Sequence, residues 1–372
     1  MNNRQNMHAI MHYEKYDHMP VVCFGFWRET LEKWAEEGHI THEQAKGWGD
    51  NNDIDYAINR LLGFDYNWGG GISCNNFLSP AFKNEVLRTL PDGSEVRRES
   101  SGLIVRTKPG VVSIPAHEGT TLTDREAWEE LYVPKLTFRP DRVNAAQIKA
   151  AYDHLAGIDA PVYLFLGSLY GNIRSMVGLE ELSYLAADDE DLYCEIIDTV
   201  GSLCYECTKE VLKLGLKFDY GHFWEDICFK TGPLLRPSIF RQLVGPWYKK
   251  ITALCRENGF DIVSVDCDGK IDELLPIWLE NGVNTMFPIE VGTWEASIAP
   301  WREKYGRGVR GVGGMDKRVF AKDRAAIDAE IERLKPLIDL GGYIPCPDHR
   351  IPPDAKWDNV RYYCDRFRQE FK

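Results

Sequence analysis

Apolar runs of about strand length recur along the chain, and amphipathic runs separate most of them. The apolar runs predict eight β-strands, at residues 19–27, 61–68, 161–168, 217–226, 261–268, 284–290, 308–316 and 341–348. Segments 236–259, 271–282 and 323–342 have the spacing of amphipathic helices, and the last two end in glycine, which favours the left-handed terminus of a helix. Strand and helix in alternation predict an α/β fold, the (β/α)8 TIM barrel.

The interval 72–160 interrupts this alternation. Two runs of alternating polarity flank Pro91-Asp92-Gly93 within residues 85–110, which is typical of a β-hairpin. We therefore expect residues 72–140 to form an insertion over the barrel mouth. The length of 372 residues suits one barrel domain with such an insertion, spanning residues 1–372.

Composition excludes several classes of protein. With a net charge of −13 and a pI near 5.3, the chain lacks the basic surface that binds the phosphate backbone of nucleic acids. No apolar run reaches the roughly 18 residues of a membrane helix, and the N-terminus lacks the apolar segment of a signal peptide. The ten cysteines are spread along the chain, and Cys204 and Cys207, in a CxxC spacing, have no second such pair to complete a zinc site. We expect a soluble, cytoplasmic protein with reduced thiols.

Metal-binding residue types stand at the ends of three of the last predicted strands. Asp266 and Asp268 close one strand, Glu290 closes the next, and Asp348 and His349 follow the last. In a parallel barrel these ends share one rim, where such barrels keep their chemistry. Carboxylates packed together raise one another's pKa unless a cation offsets their charge. The pattern predicts a divalent-cation site of Asp266, Asp268, Glu290 and His349, open to zinc, manganese or iron.

Ordinary structural roles explain these residues equally well. Asp266 would cap the following helix, Glu290 would pair with an arginine such as Arg310, and His349 would be a hydrogen-bonded loop histidine. Spacing alone does not decide between the two interpretations.

A second polar cluster ends the fourth predicted strand. Glu225 is a candidate general base or substrate anchor, with His222 and Asp226 as further candidate catalytic residues. The alternative is a structural acid pair that holds Lys230 or Arg236.

Aromatic residues are frequent near the predicted strand ends, at Trp27, Trp68, Tyr170 and Trp224. They would suit an aromatic ligand, or a quaternary ammonium held by cation–π contacts. The alternative is that most of the eleven tryptophans belong to the core. No dinucleotide or P-loop motif and no G-x-S-x-G motif is present, which disfavours nucleotide binding and serine hydrolysis.

Long stretches of the chain resemble the uroporphyrinogen decarboxylase superfamily, in particular its corrinoid-dependent methyltransferase branch. These stretches are 24–38, 167–182, 223–251, 265–291 and 341–355. The resemblance implies a (β/α)8 barrel that is usually a homodimer. No corrinoid-binding domain is recognisable, so a corrinoid would be carried by a separate partner protein.

The chain departs from the family pattern in two places. Phe24-Gly-Phe-Trp-Arg28 replaces the arginine-bearing motif of the decarboxylases, and Arg28 is left as a candidate anchor for an anionic substrate. Related methyltransferases hold zinc through His-x-Cys, in some a glutamate, and a late cysteine. The matching positions here are Asp266-x-Asp268, Glu290 and the Asp348-His349 segment. Oxygen ligands in place of thiolates suit a metal that polarises an oxygen, such as that of a methyl ether.

The sequence therefore predicts a methyltransferase that moves a methyl group from a small methylated substrate, a methyl ether, to a corrinoid protein. Zinc or another divalent cation would act as Lewis acid, and Trp27, Arg28, Tyr170 and Trp224 would bind the substrate. One rival is a metal-free decarboxylase-like lyase that uses Arg28, Glu225 and Asp226 on a carboxylated substrate. The other is a barrel that binds a tetrapyrrole or corrinoid without turnover.

Overall fold

The computed structural model describes residues 1–69, 71–108 and 115–372. The strands are β1 (Val22–Cys23), β2 (Tyr66–Asn67), β3 (Gly71–Ile72), β4 (Glu85–Thr89), β5 (Glu95–Arg98), β6 (Leu103–Thr107), β7 (Ala116–Thr120), β8 (Tyr163–Gly167), β9 (Tyr220–Trp224), β10 (Cys228–Phe229), β11 (Gly232–Pro233), β12 (Val263–Asp266), β13 (Thr285–Ile289), β14 (Arg310–Met315) and β15 (Tyr343–Pro347). The α-helices are α1 (Asn3–Met11), α2 (Arg28–Glu36), α3 (His42–Gly47), α4 (Asp53–Leu62), α5 (Arg125–Ala127), α6 (Val133–Leu136), α7 (Ala145–Ala156), α8 (Gly171–Val177), α9 (Leu179–Asp188), α10 (Glu190–Leu212), α11 (Pro237–Ile239), α12 (Gly245–Glu257), α13 (Leu275–Glu280), α14 (Val291–Trp294), α15 (Ile298–Tyr305), α16 (Arg324–Ile338) and α17 (Trp357–Glu370). Shorter π or 3-10 turns cover Trp128–Tyr132, Pro140–Arg142, Phe240–Val244, Gly306–Gly308 and Lys317–Ala321.

The central sheet has the strand order of a barrel. Seven parallel strands pair in the order β15-β14-β13-β12-β9-β8-β3, and β1 pairs in parallel with β2. β2 pairs with β1 and β3 pairs with β8, so together they take the place of the second barrel strand. The first strand segment reaches the last, because Phe26 bridges Ile351 in parallel and the Trp27 N–H donates to the Ile351 carbonyl at 3.2 Å. The predicted (β/α)8 TIM barrel is confirmed.

Several barrel strands are shorter than the apolar runs that predicted them. Residues 61 and 62 belong to α4, which ends at Gly63 in the left-handed conformation (φ 99°). Gly25, at φ 90°, turns the chain soon after β1. Apolar content alone does not separate the end of a helix from the start of a strand, so the prediction extended both strands too far.

The inserted segment forms a four-stranded antiparallel sheet in the order β4-β5-β6-β7. The predicted hairpin is confirmed as β4 and β5, and its turn is closed by the Leu90 N–H donating to the Ser94 carbonyl at 2.8 Å. Residues 109–114 of the expected insertion, which include the end of the predicted hairpin stretch, lie outside the described residues. The Thr120 hydroxyl donates to the Met176 carbonyl at 2.7 Å and so ties this sheet to α8.

Buried apolar residues form one connected cluster that includes residues of the barrel, the surrounding helices and the insertion. Trp34, Trp68, Trp128 and Trp278 are completely buried, so these four tryptophans are core residues. All ten cysteines are free, and both thiols of the CxxC pair are buried in α10. Each described helix is too short or too polar to cross a membrane.

Candidate functional site

Three aspartates meet at the carboxyl ends of the neighbouring strands β9 and β12. Asp226, Asp266 and Asp268, here called the acidic group, each place a carboxylate oxygen within 4.8 Å of the others. The register pairs Trp224 with Asp266, which puts the residues that follow β9 beside the end of β12. This is the rim where (β/α)8 barrels carry their chemistry.

A strained turn places Asp226 in the acidic group. Its φ is 50°, in the left-handed region that non-glycine residues seldom adopt, and its carboxylate accepts the Asp268 N–H at 3.1 Å. The sequence predicts Asp226 as a candidate catalytic residue beside Glu225 and does not indicate it as a metal ligand. No spacing rule signals this position, because the turn alone directs the carboxylate toward β12.

The electrostatics of the acidic group favour a bound cation. Burial, followed by the charge of Asp268, raises the pKa of Asp226 to about 6. Burial also raises the pKa of Asp266 well above its usual range, and the charges of Asp226 and Asp268 add to the effect. Oδ1 of Asp268 is buried with no hydrogen-bond partner among the described residues. The nearby charges of Arg174, His349 and Arg350 offset only part of this effect, so the donor set fits a divalent cation that prefers oxygen ligands.

His349 borders the acidic group. Its Nε2 lies 3.2 Å from Oδ2 of Asp268, and its ring stacks on Trp27 at 5.4 Å between centroids with 22° between the planes. The rings of Phe24 and His349 also pack in a T-shaped arrangement, with 5.3 Å between their centroids. The imidazole is therefore oriented from two sides next to a candidate ligand.

Glu290 also borders the acidic group, but its oxygens are engaged. They accept the Gly269 N–H at 2.6 Å and the Thr293 hydroxyl at 2.9 Å. Burial raises the pKa of Glu290, and the charge of Asp268 raises it further. The alternative pairing with Arg310 does not form, because that guanidinium donates to the Met11 carbonyl instead.

Glu225 is fully buried and accepts hydrogen bonds from five groups. The donors are the N–H groups of Leu169, Tyr170 and Gly171 at 2.8, 2.9 and 2.8 Å, the Ser168 hydroxyl at 3.2 Å, and the Tyr248 hydroxyl. Burial raises its pKa. Its carboxylate fixes the turn that begins α8, and the alternative partners Lys230 and Arg236 do not contact it in the described structure.

His222 lies inside the barrel among aromatic rings. Its ring centroid is 4.8 Å from that of Tyr163 and 6.0 Å from that of Phe287. Burial lowers its pKa to about 3, so the imidazole is neutral at physiological pH. Its Nδ1 is buried without a partner in the described part of the chain.

The candidate substrate-binding residues are not all brought together. Trp27 is 44% exposed beside His349, and Trp224 ends β9 next to the acidic group. Arg28 is exposed at the start of α2. Tyr170 is buried, bonds the Tyr193 hydroxyl at 2.8 Å and lines a separate cavity of about 170 Å³.

Two arginines lie near the acidic group, and no sequence pattern indicates that they do. Arg174 in α8 lies over the ring of Trp224, with its guanidinium carbon 6.0 Å from the centroid. Arg350 forms an ion pair with Asp50 at 2.7 Å, and its charge lowers the pKa of Asp266 against the larger effects that raise it. The position of an arginine on a helix does not reveal, from the sequence alone, which loop its side chain faces.

A further cavity of about 560 Å³ lies elsewhere, between β7 and helices α9 and α10.

Comparison with solved structures agrees with the fold. A methyltransferase from Methanosarcina mazei matches 100% of this chain over 99% of its own, with a TM-score of 0.61 and 15% sequence identity. A candidate vitamin-B12-independent methionine synthase from Listeria monocytogenes matches 95% of this chain over 96% of its own at 12% identity. Its TM-score of 0.39 is too low to support a conclusion.

A comparison with curated protein sequences finds no match. The family model for uroporphyrinogen decarboxylase (URO-D) matches residues 99–369, which is well over half of the 372 residues. The match covers β8 to β15 and therefore both strands that carry the acidic group. The chain belongs to the uroporphyrinogen decarboxylase (URO-D) family.

Proposed function

We propose that this protein is a methyltransferase that moves a methyl group from a small methylated substrate, a methyl ether, to a corrinoid held by a separate protein. The observation that carries the proposal is the acidic group at the carboxyl ends of β9 and β12. An oxygen-rich donor set suits a Lewis acid that stabilises charge on a leaving oxygen. The fold shared with a protein named as a methyltransferase agrees with this proposal.

In this proposal Asp226, Asp266 and Asp268 hold zinc or another divalent cation, with Glu290 and His349 as adjoining ligands. When bound, the cation polarises the ether oxygen and makes it a better leaving group. His349 is already oriented by Asp268 and by the ring of Trp27, so little ordering is needed for it to join the site.

Neighbouring residues have supporting roles in the proposal. Trp27 and Trp224 flank the rim and would bind the apolar part of the substrate. Glu225 would fix the start of α8 through its five hydrogen bonds rather than exchange protons with the substrate. His222 would remain neutral and contribute a ring to the wall of the barrel interior.

We also propose that residues 72–140 cover the barrel mouth. The hydrogen bond from Thr120 to the Met176 carbonyl supports this, since α8 begins at the turn that Glu225 holds at the end of β8. The proposed assembly is a homodimer that meets the corrinoid protein at this mouth.

A second candidate is a metal-free lyase that decarboxylates a small carboxylate. Family membership favours it, because the family carries the name of a decarboxylase. Arg28 would then hold the substrate carboxylate. Metal dependence separates the two functions.

The test uses the purified full-length chain, loaded with zinc, manganese or iron and analysed for bound metal. Reduced corrinoid protein from its own source and a methoxy-aromatic substrate are then added, and methylation of cobalt is followed by absorbance. We expect transfer that depends on the metal and that Asp268→Ala abolishes, while Asp153→Ala, at an exposed position of α7, does not. Protein that transfers no methyl group to several corrinoid partners, but releases carbon dioxide from a carboxylate equally well with and without metal, would establish the lyase instead.

A further inference from the structure

Arg174 is a cation beside the acidic group with no carboxylate partner in the described structure. Its guanidinium lies 6.0 Å from the ring centroid of Trp224, and its Nε is buried without a hydrogen-bond partner among the described residues. Two other cations near this rim are paired, Lys317 with Asp348 at 3.0 Å and Arg350 with Asp50 at 2.7 Å. Arg174 therefore keeps hydrogen-bond donors for a ligand.

The contacts of the rim tryptophans distinguish between classes of ligand. One face of Trp224 is occupied by Arg174, and Trp27 is stacked on His349. A quaternary ammonium would have to compete with these groups for the aromatic faces it needs. The same arrangement favours binding of an anion, because the guanidinium of Arg174 can bind a carboxylate through two parallel hydrogen bonds.

The charges around the rim also orient such an anion. Three ionised carboxylates outweigh the charge of one divalent cation, so the metal-loaded acidic group still repels a carboxylate, and Arg174 attracts it on the α8 side of Trp224. A ligand with a carboxylate at one end and an uncharged ether at the other would place its ether toward Asp226, Asp266 and Asp268. The opposite orientation would bring like charges together and is unfavourable.

We propose that Arg174 binds a carboxylate of the methyl donor, so that the substrate is a carboxylate-bearing methyl ether. This inference rests on the proposed methyltransferase function for the identity of the reacting group. The binding of the carboxylate itself is independent of that function and can be measured without turnover.

The experiment compares 4-methoxybenzoate with its uncharged match, 4-methoxybenzamide, as ligands of the metal-loaded full-length chain. Dissociation constants are measured by calorimetry for the wild type, Arg174→Ala, Arg174→Lys and the control Arg60→Ala, an exposed arginine at the end of α4. Melting temperature confirms that each variant is folded. We expect the benzoate to bind more tightly than the amide.

Arg174→Ala should weaken benzoate binding about tenfold or more, the usual effect of losing hydrogen bonds to a charged group, and leave amide binding unchanged. Arg174→Lys should restore part of the affinity, and Arg60→Ala should have no effect. Equal loss for both ligands would reduce Arg174 to a packing partner of Trp224 and overturn the proposal. Failure of the benzoate to bind the wild type would overturn it as well.

The two proposals fail separately. If Arg174 selects the benzoate but no methyl group reaches cobalt, the methyltransferase function is wrong and the carboxylate site stands. If methyl transfer proceeds equally well from the amide and is unaffected by Arg174→Ala, the carboxylate site is wrong and the methyltransferase function stands.

Discussion

Nε2 of His349 lies 3.2 Å from Oδ2 of Asp268, and this contact joins the loop after β15 to the loop after β12. The two residues are separated by 81 positions in the chain. Their contact brings an imidazole nitrogen to the edge of the acidic group, where the ring also stacks on Trp27.

His349→Ala should lower divalent-cation affinity by more than the roughly 10–100-fold that is typical when a residue supporting a ligand is lost, because the imidazole would itself be a ligand. Titration calorimetry with zinc and manganese checks this. His39→Ala is the matched control, since His39 also stacks on a tryptophan, Trp357, at 5.0 Å. Equal divalent-cation affinities for His349→Ala and wild type would show that His349 is not a ligand.

Metal affinity should rise with pH through about 6. Burial and the charge of Asp268 raise the pKa of Asp226 to about 6, and a proton on this carboxyl competes with the cation. Asp226→Asn should weaken binding at pH 7.5 and remove this part of the pH dependence. Affinity measured between pH 5 and pH 8 provides the test, and a wild-type profile that is flat through pH 6 would contradict it.

The metal-free protein should show the opposite dependence in its stability. A carboxyl whose folded-state pKa is raised contributes stability that is complete below its unfolded pKa and is lost as pH rises through the folded value. For Asp226 that window runs from the ordinary value of 3.8 to about 6. Thermal unfolding across this range should show a smaller loss of stability in Asp226→Asn than in wild type, and added cation should restore the wild type above pH 6.

Glu225→Ala should destabilise the fold rather than affect only catalysis. It would leave three buried N–H groups and two hydroxyls without their acceptor, and we expect a loss of about 3 kcal/mol or more in the free energy of unfolding. Urea denaturation measures this loss, with Glu257→Ala, an exposed residue at the end of α12, as the control. A fully stable but inactive Glu225→Ala protein would instead indicate a general base.

A methoxy-aromatic ligand should quench tryptophan fluorescence in a saturable way, because Trp27 and Trp224 stand at the rim. Trp224→Phe should reduce the quenching and weaken binding, because phenylalanine is not the quenched indole and offers less ring area to the ligand. Trp247→Phe is the comparison, since Trp247 also carries a cation on its ring, Lys250 at 3.8 Å, but lies on α12. If Trp224→Phe and Trp247→Phe reduce the quenching equally, the ligand does not bind beside Trp224.

Much of the architecture is determined by the sequence itself. The apolar runs and the glycine-terminated helical runs identify the barrel, and the turn around Pro91-Asp92-Gly93 identifies the hairpin, because both follow from local periodicity and turn chemistry. The sequence also places Asp266, Asp268, Glu290 and His349 at strand ends. In a parallel barrel, that placement is enough to bring them to one rim.

The tertiary structure decided which of these residues meet and which groups they contact. The left-handed turn at Asp226 and the pairing of β9 with β12 bring this residue into the acidic group, which no spacing along the chain reveals. Four donors from the turn that begins α8 and one from α12 engage Glu225, and Arg174 of α8 lies over Trp224 of β9. Each of these contacts joins residues that are distant in sequence, so it depends on how the elements pack and on the charge and burial that packing creates, neither of which local periodicity encodes.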